Sequence, residues 1–269
     1  MSQLQKEQAG GPLKTEMIVP SQIKTETLIV GEVEGQGKDL ISMPGSHNAF
    51  LGISLGKRFF SKEHTKMYFD WALSNCKDFM LIIDDWEEQH NYKVFKKLRG
   101  EESAKIRALS EGKNKKRAFT KVLNWYPVNQ RAKVKIMCSS ELFQNPEHAE
   151  ILSIRDKLVS MFSQNPEFRE AIIQSVETSI RGKIEAWKNE MKITEKDKQY
   201  HEALELLSRY RFEEIAVTIY LREQMGFPTE IYPESAMPVV RNLYEGKYPE
   251  LTQEFISRNN YGYINLGMK

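Results

Sequence analysis

Cysteine is scarce in this chain: Cys76 and Cys138 are the only two in 269 residues. Two thiols cannot build a disulfide framework, so the reading is a protein whose thiols stay reduced. Long apolar runs are also missing. The longest useful one, Phe79 to Ile83, falls far short of the ~20 residues that a membrane-spanning helix needs. Met1 to Pro12 is polar and lacks the apolar core of a secretory signal. Together these absences predict a cytoplasmic protein that makes no use of a membrane. There is no GxGxxG, no phosphate-binding GxxxxGK[ST], and no group of Cys and His with metal-ligand spacing, so no cofactor and no metal is expected.

What the chain does have is an ordinary globular composition, with 40% hydrophobic residues to fill a core and 28% charged ones. Its length fits one domain or two. Net charge is only +2, but it is unevenly placed. Between Asn91 and Lys135 there are fourteen Lys and Arg against three acids, Glu101, Glu102 and Glu111. A basic block in a near-neutral chain suits a polyanion docking on one face. The plainer reading of such a block is a solvated helix.

Residues 1–38 are rich in Lys, Glu, Gln, Gly and Thr and are expected to form a flexible polar leader, with a short strand at Thr27 to Val30 and firm order from about His47. The rest, 39–269, is expected to be one domain. Ala49 to Leu55 reads as a buried strand, Ser61 as the cap of a helix running through Trp71, and Phe79 to Asp84 as a second buried strand. Strand, helix, strand in so short a span implies a parallel pair with a right-handed crossover. Glu101 to Trp125 reads as a helix weakened by Gly112, with Lys113, Arg117 and Lys121 on one face and Ile106, Leu109, Val122 and Leu123 toward the body. Lys133 to Cys138 reads as a third strand. Two QNPE segments, at Gln144 and Gln164, each carry Asn at a cap and Pro at the first helical position. Helices are expected over Pro146–Met161, Pro166–Lys188, Glu195–Met225 and Met237–Tyr244, with a β-like Thr229–Tyr232. The order fits an α/β, Rossmann-like domain with a mostly parallel sheet flanked by helices.

Gly52-Ile53-Ser54-Leu55-Gly56 lies between a strand and a helix and matches G-x-S-x-G, the turn that exposes a nucleophilic serine. Taken alone, the pentapeptide is better read as a structural turn. A serine hydrolase would need several preceding strands and a later acid and histidine. Here the last histidine, His201, sits among charged residues at the start of a helical run. The hydrolase reading stays open but poorly supported.

Asn48 to Asp85 resembles the tRNA-dependent cyclodipeptide synthases. The strand ends in Gly-Ile-Ser, Arg58-Phe59-Phe60-Ser61 follows, Trp71-Ala72 lies in the next helix, and a second buried strand comes after. The basic Lys105 to Lys121 region, Ser140-Glu141-Leu142, Pro146-Glu147, the Tyr210-x-x-x-Glu214 pair and Ile231-Tyr232-Pro233 are similar to further motifs of that family, in the same order, so the likeness runs from about His47 to Tyr232. One subtype has Asn three residues after the serine and a late Tyr-His. This chain has Lys57 and Tyr232-Pro233 and resembles the Tyr-Pro subtype.

The resemblance implies a fold similar to the catalytic domain of class I tyrosyl- and tryptophanyl-tRNA synthetases, with two aminoacyl-tRNAs as substrates and no ATP; the sequence does not fix the oligomeric state, and a monomer is favoured. It implies ping-pong catalysis in which Ser54 takes the first aminoacyl group, the amine of a second aminoacyl-tRNA attacks that ester, and a dipeptidyl-enzyme cyclises. Tyr210, Glu214 and Tyr232 are the implied catalytic partners: Glu214 to hold an ammonium and shuttle its proton, Tyr210 to fix the amine, Tyr232 to bond near Ser54 or the oxyanion. Lys105, Arg107, Lys113, Lys116, Arg117 and Lys121 are the implied tRNA contacts, gripping phosphates rather than reading bases. Gly52, Ile82 and Asp84 would face the first aminoacyl side chain. Ile82 and Asp84 share a strand face by period two, and an acid at Asp84 would suit a side chain that donates hydrogen bonds or is cationic, such as histidine. An acid closing the strand end is the plainer reading of Asp84. A non-catalytic RNA-binding module built on the basic helix remains the third alternative.

Overall fold

The computed structural model describes residues 27–57, 60–96 and 100–269. Most of the expected leader, and Arg58 and Phe59 of the motif above, lie outside them. The elements are β1 (Leu28–Gly35), α1 (Gln36–Ser42), β2 (Ala49–Ile53), α2 (Lys62–Asn75), β3 (Phe79–Ile83), α3 (Glu88–Phe95), α4 (Glu101–Leu123), α5 (Val128–Arg131), β4 (Val134–Cys138) and α6 (Ser139–Phe143). After them come α7 (Glu150–Gln164), α8 (Pro166–Met191), α9 (Lys198–Glu223), β5 (Thr229–Tyr232), α10 (Pro238–Tyr244), α11 (Pro249–Phe255) and β6 (Gly262–Met268).

Six strands form one sheet in the order β1-β6-β5-β2-β3-β4. All neighbours are parallel except β1, which runs antiparallel along β6. The expected α/β class and the parallel β2–α2–β3 unit are therefore present. β2 and β3 are apolar along their whole length because helices cover both faces. On one face Phe50, Met80 and Ile82 meet α7, α9 and α10. On the other, Leu51, Ile53, Leu81 and Ile83 meet Tyr68 and Phe69 of α2 and Phe119 and Val122 of α4. Each fully buried side chain of this kind contributes about 1.5–3 kcal/mol. Among the described residues no helix is long and apolar enough to cross a membrane.

Local chemistry sets the helix ends. Ser61 caps α2 by accepting from the His64 N–H, and Asn165 caps α8 by accepting from Phe168 N–H, with Pro166 at the first position. Asn145 caps only a single 3₁₀ turn, Pro146–His148, and the α-helix starts afresh at Glu150. At the start of α9, Asp197 is taken up by the Thr194 N–H and hydroxyl, which delays the helix to Lys198.

Four expectations change. Regular structure is already present before His47, because β1 pairs with β6 and Leu40 of α1 is fully buried. α11 and β6 were not foreseen: β6 depends on partners far away in sequence, β5 and β1. Ile106 is exposed rather than facing the body; Val122 and Leu123 do face it as expected, joined by Ala104, Ala108 and Phe119 of α4.

The fourth concerns Gly112, which does not merely weaken α4. A Cβ there would lie 2.3 Å from Asp85 Cβ, so the glycine lets the helix pass directly over the end of β3. Asp85 cannot retreat, since Ser140 N–H (2.9 Å) and Ser140 and Ser139 hydroxyls (2.8 and 3.2 Å) all donate to it. Gly to Ala inside a helix ordinarily stabilises by about 1 kcal/mol. Here Gly112→Ala is expected to destabilise by about 1–3 kcal/mol through overpacking, read as a lower urea midpoint at unchanged slope.

Candidate active site

β2, β3 and β5 stop at one edge of the sheet, and a cavity of about 850 Å³ opens there. Alternation along β2 turns Phe50, Gly52 and Ser54 to this side. Ile82 and Asp84 follow on β3, and Glu230 and Tyr232 on β5. Tyr210 and Glu214 reach the cavity from one face of α9. All seven residues singled out as catalytic or substrate-binding, Gly52, Ser54, Ile82, Asp84, Tyr210, Glu214 and Tyr232, line this one space.

Ser54 is half-buried at the mouth of the turn after β2. Its Oγ donates to Asp84 Oδ2 at 3.4 Å and lies 3.5 Å from the Tyr232 hydroxyl. None of the five histidines lines the cavity, so no Ser–His–acid arrangement is formed there. Asp84 is buried, and its carboxyl is held well above the usual range by desolvation and then by the negative charges of Glu214, Glu88 and Glu230. Burial, then Asp84 and Glu214, likewise pushes the Tyr210 phenol up. Tyr232 is raised, chiefly by burial, so both phenols stay protonated and can donate. Burial raises Glu230 to about 7, although Arg222 beside it at 3.1 Å pulls the other way.

Neighbouring acids on α9 have opposite jobs. Glu214 faces the cavity and is gripped by Arg211, which also donates to Ser179 of α8. Glu213 faces the body. It accepts from Trp86 Nε1 at 3.2 Å and bonds His90 Nε2 at 2.9 Å, tying α9 to the β3–α3 connection. That connection, Asp84-Asp85-Trp86-Glu87-Glu88, is buried or nearly so, and Glu87, pressed against Ser139, has its carboxyl raised chiefly by burial. Sequence reasoning missed these supports. The available signal was an acidic run directly after a buried strand.

Of the six basic residues expected on the tRNA face, Lys113, Arg117 and Lys121 are exposed along one side of α4. The other three are engaged with the protein: Lys105 lies over the Trp86 ring at 4.6 Å, Arg107 pairs with Glu111 at 2.9 Å and Lys116 with Glu141 at 2.6 Å. Lys115, not singled out from the sequence, runs inward instead, its Nζ 3.4 Å from the Ser54 carbonyl and 3.5 Å from that of Leu55. The basic helix thus abuts the serine turn. Lys57 pairs with Glu234 at 2.7 Å.

A family model described as cyclodipeptide synthase matches residues 34–216. No curated protein matches the chain. Among solved structures, a CDPS from Fluoribacter dumoffii has a TM-score of 0.70 at 16% identity, over 91% of this chain and 98% of that one. A Mycobacterium tuberculosis protein, whose structure is described as demonstrating that cyclodipeptide synthetases are related to type I tRNA synthetases, has a TM-score of 0.62 at 14% identity, over 91% and 94%. A cyclodipeptide synthase from Candidatus Glomeribacter gigasporarum bound to Phe-tRNAPhe has a TM-score of 0.59 at 16% identity, over 88% and 94%. At these identities the likeness is one of fold.

The raised Glu230 carboxyl links stability to pH. Its folded-state value lies above its ordinary 4.5, so its contribution is full below about 4.5 and is lost as pH rises through about 7. Between pH 5 and 7.5, the Tm of the wild type should fall more than that of Glu230→Gln. Equal falls in differential scanning fluorimetry would contradict this.

Proposed function

The chain belongs to the cyclodipeptide synthase family, and on that footing we propose that it joins the aminoacyl groups of two aminoacyl-tRNAs into a cyclic dipeptide through esters of Ser54. The observation that carries the reading is the convergence of Ser54, Tyr210, Glu214 and Tyr232, scattered over some 180 residues, on one cavity. With Tyr232 followed by Pro233, the chain is assigned to the Tyr-Pro subtype. The enzyme works in the cytoplasm, where charged tRNA is made.

In the first step Ser54 Oγ attacks the ester carbonyl of an aminoacyl-tRNA. The Oγ–C bond forms, the bond to the ribose oxygen breaks, and the serine proton passes to that oxygen. Tyr232, 3.5 Å from Oγ, is placed to donate to charge developing at the carbonyl. ATP has no part, because the carboxyl group arrives already activated as an ester.

Atom balance fixes the direction of the second step. Attack by the incoming amine on the serine ester would free Ser54 and leave the dipeptide on tRNA. A dipeptidyl-enzyme requires the reverse: the amine of the Ser54-bound residue attacks the ester of the second aminoacyl-tRNA. Glu214 holds that amine and passes its proton toward the departing ribose oxygen, and Tyr210, one turn away on α9, fixes the amine's position. In the last step the amine of the second residue attacks the serine ester. The second amide bond closes the ring, and Oγ leaves with the proton.

α4 serves as the tRNA cradle, with Lys113, Arg117 and Lys121 meeting phosphates while Lys115 abuts the serine turn.

Mass spectrometry of medium from an expressing bacterium should reveal new cyclic dipeptides that vanish with Ser54→Ala. Their absence from wild-type medium would contradict the reading, and unimpaired synthesis by Ser54→Ala would exclude the covalent route. A Lys113→Glu/Arg117→Glu/Lys121→Glu variant should raise KM for charged tRNA at least about tenfold and lower the salt slope of tRNA binding by about 2–3. An unchanged slope would remove α4 from the tRNA interface.

A further inference from the structure

The active-site cavity has a floor. A Cβ placed on Gly52 would meet nothing within 4 Å, so the space over this residue is open. Gly52 lies two residues before Ser54 on the same strand face, with Ile82 its partner in register on β3. Asp84 lies further along β3 beside Ser54, and Glu230 flanks the slot on β5. The slot lies on the strand face that carries Ser54, within the same cavity as its hydroxyl.

The charges around the slot are not balanced. Four of the acids lining the cavity are paired: Glu214 with Arg211, Glu234 with Lys57 at 2.7 Å, Glu230 with Arg222 at 3.1 Å and Glu167 with Lys247 at 2.7 Å. Glu88, behind Asp84, accepts from Asn91 at 2.9 Å and feels Lys183. Asp84 is 5% exposed and, among the described residues, makes no ion pair; the one hydrogen bond to its carboxyl is the 3.4 Å contact from Ser54. Lys115 feels its charge, but that ammonium is at the Ser54 and Leu55 carbonyls. Glu230 keeps 22% side-chain exposure in spite of Arg222, so it too can meet a ligand. An apolar side chain in this slot would leave the Asp84 carboxyl, already held toward its neutral form by burial and the acids around it, sealed from water with no further polar partner. A cationic one would supply the missing partner.

We propose that the first residue taken up, the one esterified to Ser54, carries a basic side chain (histidine, lysine or arginine) seated over Gly52 between Asp84 and Glu230. This rests on the reading of Ser54 as the nucleophile and adds to it the class of amino acid selected.

The test charges one tRNA body in turn with histidine, lysine, arginine, leucine and phenylalanine, and follows the intact mass of the acyl-enzyme after rapid quench. The wild type is expected to favour at least one basic donor over leucine and phenylalanine by at least about tenfold, equivalent to about 1.4 kcal/mol. Asp84→Asn should lower that ratio about tenfold, and Glu230→Gln should lower it in the same direction. Wild-type preference for leucine or phenylalanine would overturn the inference whether or not the variants fold. So would an Asp84→Asn enzyme slowed equally with every donor, which would mark Asp84 as acting on Ser54 itself. No acylation by any donor would overturn the nucleophile assignment, and the inference with it. Acylation with the wrong preference leaves that assignment standing.

Discussion

The site depends on the two-residue repeat of three parallel strands held in fixed register. β2 and β3 pair residue for residue from Ala49–Phe79 to Ile53–Ile83, and β5 joins β2 at Ala49–Thr229. Within that register, one set of side chains packs against α2 and α4, and the alternate set closes with α7 and α9 or borders the cavity. A slip of one residue in any of the three strands would bury Ser54, Asp84 or Tyr232 in the opposite core. The apolar runs of β2 and β3, which stabilise the domain, are therefore also what aims the reactive groups.

The second requirement is that carboxylates stay where water does not reach. Asp85 is satisfied by three donors from Ser139 and Ser140, and α4 can lie over it only because Gly112 has no side chain. Glu213 is met by Trp86 and His90. These supports surround Asp84, whose own partners are few. Asp85 and Glu213, held by several donors, stiffen the wall, and Asp84, with a single donor to its carboxyl, faces the cavity. That pattern is expected where local stability has been given up to a ligand.

Much of this was legible in the sequence. Short apolar runs bounded by polar residues gave β2, β3 and β4, and Ser61 and Asn165 marked α-helix starts while Asn145 marked a 3₁₀ turn, because those signals act within a few residues. Resemblance, not pattern, brought Tyr210, Glu214 and Tyr232 together; by periodicity alone they belong to an ordinary amphipathic helix and a short strand. What escaped was long-range. β1 and β6 are strands because of each other, Gly112 is required by a residue 27 positions earlier, and Lys115 turns inward while its neighbours at 113 and 117 face solvent. Lys57 has an ion-pair partner, Glu234, that no local pattern could supply.

Glu213 and Glu214 are adjacent, yet one is fastened to the interior and the other is offered to the cavity. Successive residues of an α-helix are about 100° apart around its axis. One residue gained or lost within α9 would carry the fastened carboxylate round to the cavity or turn the offered one inward. This segment can therefore diverge by exchange of side chains but not by change of length, and most of its 26 residues are bound by that phase.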